Sequence, residues 1–172
     1  MNYVYCYLSY FGYKRGIGVM NGFWKQMEAL GVDDNPYRAG FLQLVCVAET
    51  DEKAWEEAGP HMDFLFNKLL KRPFHQFFPP GYLTEKSMSR VMGDKSVGNK
   101  QHDLRDMNDK GMILIGSAAT VRERLTEFQN EAGIGLLVVL LHFGSLPQDL
   151  TLKNVEVFAK EVMPHFRAKA PA

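Results

Sequence analysis

The stretch GSAATVRERLTEFQNEAGIGLLVVLLHFG, residues 116–144, decides the reading of this chain. Ser117 is placed to accept the orphan N–H groups of a helix start. Thr120 stands where a full capping box would need Glu or Gln. Val121, Leu125, Phe128 and Ala132 then recur at helical spacing and make one apolar stripe. Gly133 is a natural left-handed stop. Leu136 to Leu141 follow as an apolar run without alternation. A strand with one covered face alternates, whereas a strand covered on both faces does not. The stretch therefore predicts a helix, a tight turn and a central strand of a parallel sheet.

Working outward, the rest of the chain repeats this kind of unit. Tyr3 to Tyr10 is aromatic and β-branched and predicts a strand. Phe11 to Gly18 predicts a glycine- and lysine/arginine-containing loop. Met20, Phe23, Trp24, Met27 and Leu30 then mark a helix that stops at Gly31. Phe41 to Ala48 is a second strand. Thr50 or Asp51 caps a helix whose apolar face runs from Ala54 to Leu69, with a kink expected at Pro60. From Lys71 to Lys110 the rhythm breaks. An aromatic, proline-rich part (73–82) is followed by a charged part with little periodicity. Such a segment predicts a lid-like or disordered excursion. Met112 to Ile115 reads as a short extended lead into the first-quoted unit. After Gly144 a turn leads to a last helix with Leu152, Val155, Phe158, Ala159, Val162, Met163 and Phe166 on its buried face. The order is β, α, β, α, excursion, α, β, α, which predicts a parallel sheet covered by helices.

The chain has 172 residues, 46% of them apolar and 23% charged, as expected for one globular domain. Its formal net charge is zero, which argues against nucleic acid or an anionic membrane as a partner. The longest apolar run is far too short to span a bilayer. Cys6 and Cys46 sit in apolar, strand-like surroundings and predict two buried free thiols in a reducing cytoplasm. The histidines show no metal-ligand spacing, so no metal is expected. There is no phosphate-cradling Walker loop and no nucleophile elbow. Gly16-Ile17-Gly18 is a poor dinucleotide fingerprint, because the loop before it is too long and a third glycine is misplaced.

Three doubly covered strands cannot close an eight-stranded barrel, which takes about 250 residues. As an open sheet they would leave central-type edges bare. The chain is accordingly read as one arc of a larger fold, or as a unit that must associate. The motifs GSAATVRERL (116–125), LLVVLLHFG (136–144) and LTLKNVEVFAKEVMP (150–164) resemble the C-terminal end of the luciferase-like flavin monooxygenases. Asn35 to Arg38 leading into Phe41 to Thr50, and Tyr7 to Gly18, look similar to that family as well. The resemblance implies an α/β fold, a partial (β/α)8 TIM barrel made of about the last three strand–helix units, with parallel strands and helices outside. It implies one domain over 1–172, with 71–110 as the lid such enzymes carry. It implies reduced FMN supplied by a separate flavin reductase, insertion of one atom of O2 into a small apolar organic substrate, and a homo-oligomer. The alternative is a non-catalytic barrel fragment, a dimeric flavin-binding or structural remnant.

Barrel sites gather at the C-terminal ends of strands. That rule selects Ser9, Phe11 and Gly12 after the first strand, and Phe143 and Gly144 after the last, as residues that would line a flavin. Lys14 and Arg15 follow the first cluster. His142 is the histidine at a strand end and is the candidate to meet flavin, peroxide or substrate. Each of these has a plainer reading: Phe11 and Phe143 as core packing, Lys14 and Arg15 as solvated charges, His142 as a pocket wall. The aromatic stretch from Phe74 to Tyr82 reads equally as a substrate cover or as a dimer contact.

Overall fold

Strand β2 (Ala39–Ala48) is the hub of the sheet. In the computed structural model, which describes residues 5–8, 12–32, 34–71, 76, 78–93 and 101–167, the other three described strands all pair with it in parallel. β1 (Tyr5–Leu8) matches Tyr5 to Ala39 and Leu8 to Leu42. β4 (Leu136–Leu140) matches Leu136 to Gly40 and Leu140 to Leu44. β3 (Ile113–Ser117) matches Ile113 to Leu44 and Ser117 to Ala48. The connecting helices are α1 (Tyr13–Ala29), α2 (Asp51–Phe64), α3 (Glu85–Gly93), α4 (Leu104–Asp109), α5 (Ala118–Ala132), α6 (Gln148–Val157) and α7 (Met163–Arg167). Two of the joints are π turns, Leu65–Leu69 after α2 and Phe158–Val162 between α6 and α7.

Period-two alternation along β2 feeds two cores. Phe41, Val45 and Val47 meet Tyr13 and Met20 of α1, Val121, Leu125 and Phe128 of α5, and Phe158 and Val162. Cys46 and Ala48, with Ile113 and Ile115 of β3, meet Ala54, Ala58 and Met62 of α2 and Met107 of α4. Helices therefore lie against both faces of the sheet, rather than on an outer face alone. Above the β4 pairing, the edge of β2 is closed by a side chain. Asn154 of α6 is 2% exposed; it accepts the Val47 N–H at 2.8 Å and donates to the carbonyls of Val45 at 3.0 Å and Leu141 at 2.9 Å. One amide replaces the next rungs of the ladder and satisfies three buried backbone groups.

Caps fall where their chemistry puts them. Thr50 accepts from the Lys53 N–H at 3.1 Å and Ser117 from the Thr120 N–H at 3.3 Å, while Gly133 ends α5 with φ 63°. Five expectations are corrected. First, Met112 to Ile115 is no mere lead-in: Ile113–Ser117 is a full strand of the sheet. Second, α1 begins at Tyr13, so Lys14 to Gly18 are helical and not loop, with Gly16 buried against the turn before it. Third, β4 is not covered twice. Leu137 and Val139 pack on the first core, whereas Leu136, Val138 and Leu140 stay 41%, 41% and 42% exposed. Fourth, Leu152 and Val155 of the last helix are exposed, because Asn154 is the α6 residue turned to the sheet. Fifth, Cys6 is exposed and Cys46 alone is buried, its thiol pushed up to about 12 by burial and then by the nearby Glu57. Pro60 lies inside its helix, as the pattern has it, and the helix runs on to Phe64.

The 71–110 segment is partly helical, and its last third is tied to α2. Asn67 accepts the His102 N–H at 2.6 Å and donates to the His102 carbonyl at 3.0 Å. The Arg105 guanidinium lies 3.7 Å over the Trp55 ring. Residues 72–75 and 77 of the aromatic stretch, and the tail from 168, lie outside the described residues.

Candidate functional site

Parallel pairing brings the C-terminal ends of β2, β3 and β4 to one end of the sheet, which is where a site is sought in this architecture. Two helices start there side by side, and Asp51 joins them. Its carboxylate accepts the Ser117 N–H at 2.5 Å and the Thr120 hydroxyl at 3.1 Å. Asp51 thus sits in the first turn of α2 and against the first turn of α5, both positively polarised ends. The Ser117 N–H, with help from the Thr120 hydroxyl, holds the Asp51 carboxyl below the usual carboxylate range, against an opposing effect of burial. Nearby, Lys153 bridges Glu57 at 2.6 Å and Glu49 at 3.0 Å, and the Glu57 carboxylate leads the effects that hold its ammonium above the usual lysine range.

The sequence candidates do not all come together. Ser9 and Phe11 lie outside the described residues. Gly12 is buried at the start of α1 with φ 87°, and a Cβ there would fall 2.1 Å from the Lys110 carbonyl oxygen. Gly144 has φ 56°, and a Cβ there would fall 2.5 Å from the His61 carbonyl oxygen. Phe143 is 4% exposed within the core beneath α2. At both glycines the place of a side chain is taken by the chain's own backbone. Lys14 and Arg15 are exposed on α1.

His142 is the candidate that remains open to solvent. Its Nδ1 is 2.9 Å from Thr151 Oγ1, and that hydroxyl is also 2.9 Å from the Pro147 carbonyl. A second histidine, His61 of α2, places Nδ1 2.9 Å from Ser145 Oγ on the same loop. Sequence reasoning missed Asp51, Thr151 and Asn154 as site or frame residues. Asp51 was read only as a local cap, and its partner lies 66 positions away in sequence. Thr151 sits at a helix position with no pattern of its own; its spacing of nine residues from His142 was the available signal.

A cleft of about 710 Å3 lies at the opposite, N-terminal end of β4. Phe128, Leu137, Val139, Phe158 and Phe166 line it, along with Gln129, whose Oε1 is buried without a hydrogen-bond partner among the described residues. No described strand pairs with the far side of β4.

Solved structures give long matches at low identity. The chain is similar to the oxygenating constituent of 3,6-diketocamphane monooxygenase from the CAM plasmid of Pseudomonas putida, a type II Baeyer-Villiger monooxygenase in complex with FMN. The match has a TM-score of 0.64 and 19% identity over 92% of this chain and 42% of that one. The chain shares the fold of that span of the protein. It is similar as well to monooxygenase RslO1 from Streptomyces bottropensis, at a TM-score of 0.61 and 11% identity over 95% of this chain and 42% of that one. DmoA from Hyphomicrobium sulfonivorans matches at 0.56 and 15% identity, over 99% of this chain and 39% of its own. The chain thus spans about two fifths of each of these proteins. No protein-family model matches the sequence, and no curated protein sequence matches it. No helix among the described residues is long and apolar enough to cross a membrane.

Proposed function

We propose that this chain is an arc of a (β/α)8 barrel in a luciferase-like, FMN-dependent monooxygenase. Such an enzyme would take reduced FMN from a separate flavin reductase and insert one atom of O2 into a small apolar organic substrate. The observation that carries this reading is the fold match over 92% of the chain to a monooxygenase in complex with FMN. The motifs over 116–164 support it from the sequence side. In this reading another strand–helix unit of the barrel lies along the unpaired side of β4 and covers the cleft beside Phe166 and Gln129.

The fit of the flavin to this chain's own residues is incomplete. A side chain at Gly12 or Gly144 would run into a carbonyl oxygen of the chain, and Phe143 is packed beneath α2. These three do not make a cradle for a flat ring, so no reaction step is drawn through the flavin. His142, at the C-terminal end of β4, is the residue left to face a ligand.

Anaerobic titration of the chain with reduced FMN, read by dialysis or fluorescence, tests the reading. Saturable binding, followed on admission of O2 by an oxygenated product from an apolar ketone or thioether, supports it. No measurable binding overturns flavin dependence for the chain as it stands.

A further inference from the structure

The hydrogen bonds around Thr151 fix a property of His142 that neither the fold nor the resemblance supplies. Thr151 lies in the first turns of α6, four residues after Pro147. Its N–H and its hydroxyl both reach the Pro147 carbonyl at 2.9 Å. A helical threonine commonly gives its hydroxyl proton to the carbonyl one turn back. A hydroxyl has one proton and two lone pairs. With that proton committed to Pro147, Thr151 Oγ1 faces His142 Nδ1 at 2.9 Å as an acceptor. The Nδ1 must then carry the hydrogen. In a neutral imidazole this leaves Nε2 bare. Nε2 has no hydrogen-bond partner among the described residues, and His142 is exposed at the C-terminal end of the sheet.

We propose that Thr151 is a positioning residue that holds His142 in its Nδ1–H tautomer, leaving Nε2 as the hydrogen-bond and proton acceptor at the end of β4. The ligand group this suits is a donor: a hydroxyl, an N–H or an acidic proton. On proton transfer the ligand keeps the electron pair of its broken bond to hydrogen, and Nε2 gains that proton. The positive charge so formed on the ring is met by Thr151 Oγ1 at Nδ1–H. Its place in catalysis rests on the monooxygenase reading, but the tautomer itself does not.

Nitrogen-15 NMR of the labelled, flavin-free protein tests it near pH 8, where an ordinary histidine is neutral. The His142 signals are assigned by their loss in His142→Gln. The expected result is a pyridine-type shift at Nε2 and a pyrrole-type shift at Nδ1. Thr151→Val keeps the branched shape and removes the hydroxyl; it should move the pyridine-type shift toward Nδ1. Thr151→Ser should restore the original pattern, and a residue of merely structural importance would not show that rescue. A pyridine-type Nδ1 in the unaltered protein, or an identical pattern in Thr151→Val, overturns the proposal. If Thr151→Val fails to fold, the spectra of the unaltered protein and Thr151→Ser still decide. Because no flavin is present, a failed tautomer assignment is distinct from a failed FMN titration.

Discussion

Asn154 shows how much one residue can carry. It stands on α6 between Lys153, which is ion-paired to Glu57 and Glu49, and the exposed Val155, and reaches into the sheet to serve Val45, Val47 and Leu141. A buried polar backbone group left without a partner costs about 1–3 kcal/mol. Asn154→Ala orphans three such groups together, and we expect a loss of about 3 kcal/mol or more of unfolding free energy in urea titrations. Asn154→Asp should be as harmful, because a carboxylate in place of the NH2 would confront two carbonyl oxygens. If instead Asn154→Ala matches the parent within error, the amide is not closing the edge of β2.

At the level of elements, the caps and periods were readable in the residues. Ser117, Thr50 and Gly133 act within one turn of themselves, and the apolar stripe of α5 needs only its own spacing. What was hidden is set by distant chain. Met112 to Ile115 reads locally only as a short extended lead, and Ile113–Ser117 is a full strand because β2 offers it an edge. The start of α1 at Tyr13 was masked by two glycines that lower helix propensity. That helix is held in place by Tyr13, buried against Phe128 and hydrogen-bonded by its N–H to the Gly111 carbonyl at 3.1 Å. His142 stands out in the sequence by its place at a strand end, whereas Thr151 does not, since its contact with His142 exists only once α6 folds back.

The join between α2 and α5 through Asp51 belongs to the same scale, and it is sensitive to pH. Its carboxyl is held below the ordinary range first by the Ser117 N–H. A carboxyl depressed in the folded state adds stability above its unfolded value, about 3.9, and that stability is lost as pH falls through the folded value. Asp51→Asn should therefore lower the urea midpoint at neutral pH. The gap to the parent should begin to close as the pH falls below about 3.9, where the unfolded carboxyl takes up its proton, and should be gone once the pH has passed the lower folded value. A gap that stays constant down to about pH 2 would mean that the carboxylate charge contributes nothing to the join.

For the whole molecule the telling feature is the uneven cover of β4. The unbroken apolar run was taken to mean cover on both faces, and that inference is sound for a parallel strand in a finished sheet. Within the described residues one face of β4 has its cover and the other does not. Rows of exposed apolar side chains beside an unpaired edge draw in other chains. We expect the protein to sediment as more than a monomer. Val138→Lys, on the open face, should shift it toward monomer while changing folding stability by no more than about 0.5 kcal/mol. Val139→Lys, one residue along, puts a charge into the helix-covered core and should cost several kcal/mol. A parent that runs as a clean monomer, or equal harm from both substitutions, would show that the two faces of β4 do not differ in this way.

The hub position of β2 has a consequence for how the chain comes into being. Its neighbours arrive from before it and from long after it: β1 precedes it, but Leu136 to Leu140 emerge only after α2, β3 and α5 have been made. Contacts between residues so far apart form slowly, and until they form the middle strand waits with Leu42 and Leu44 uncovered. Nascent chains halted before Leu136 should therefore be the ones that chaperones hold and that clump when chaperones are scarce.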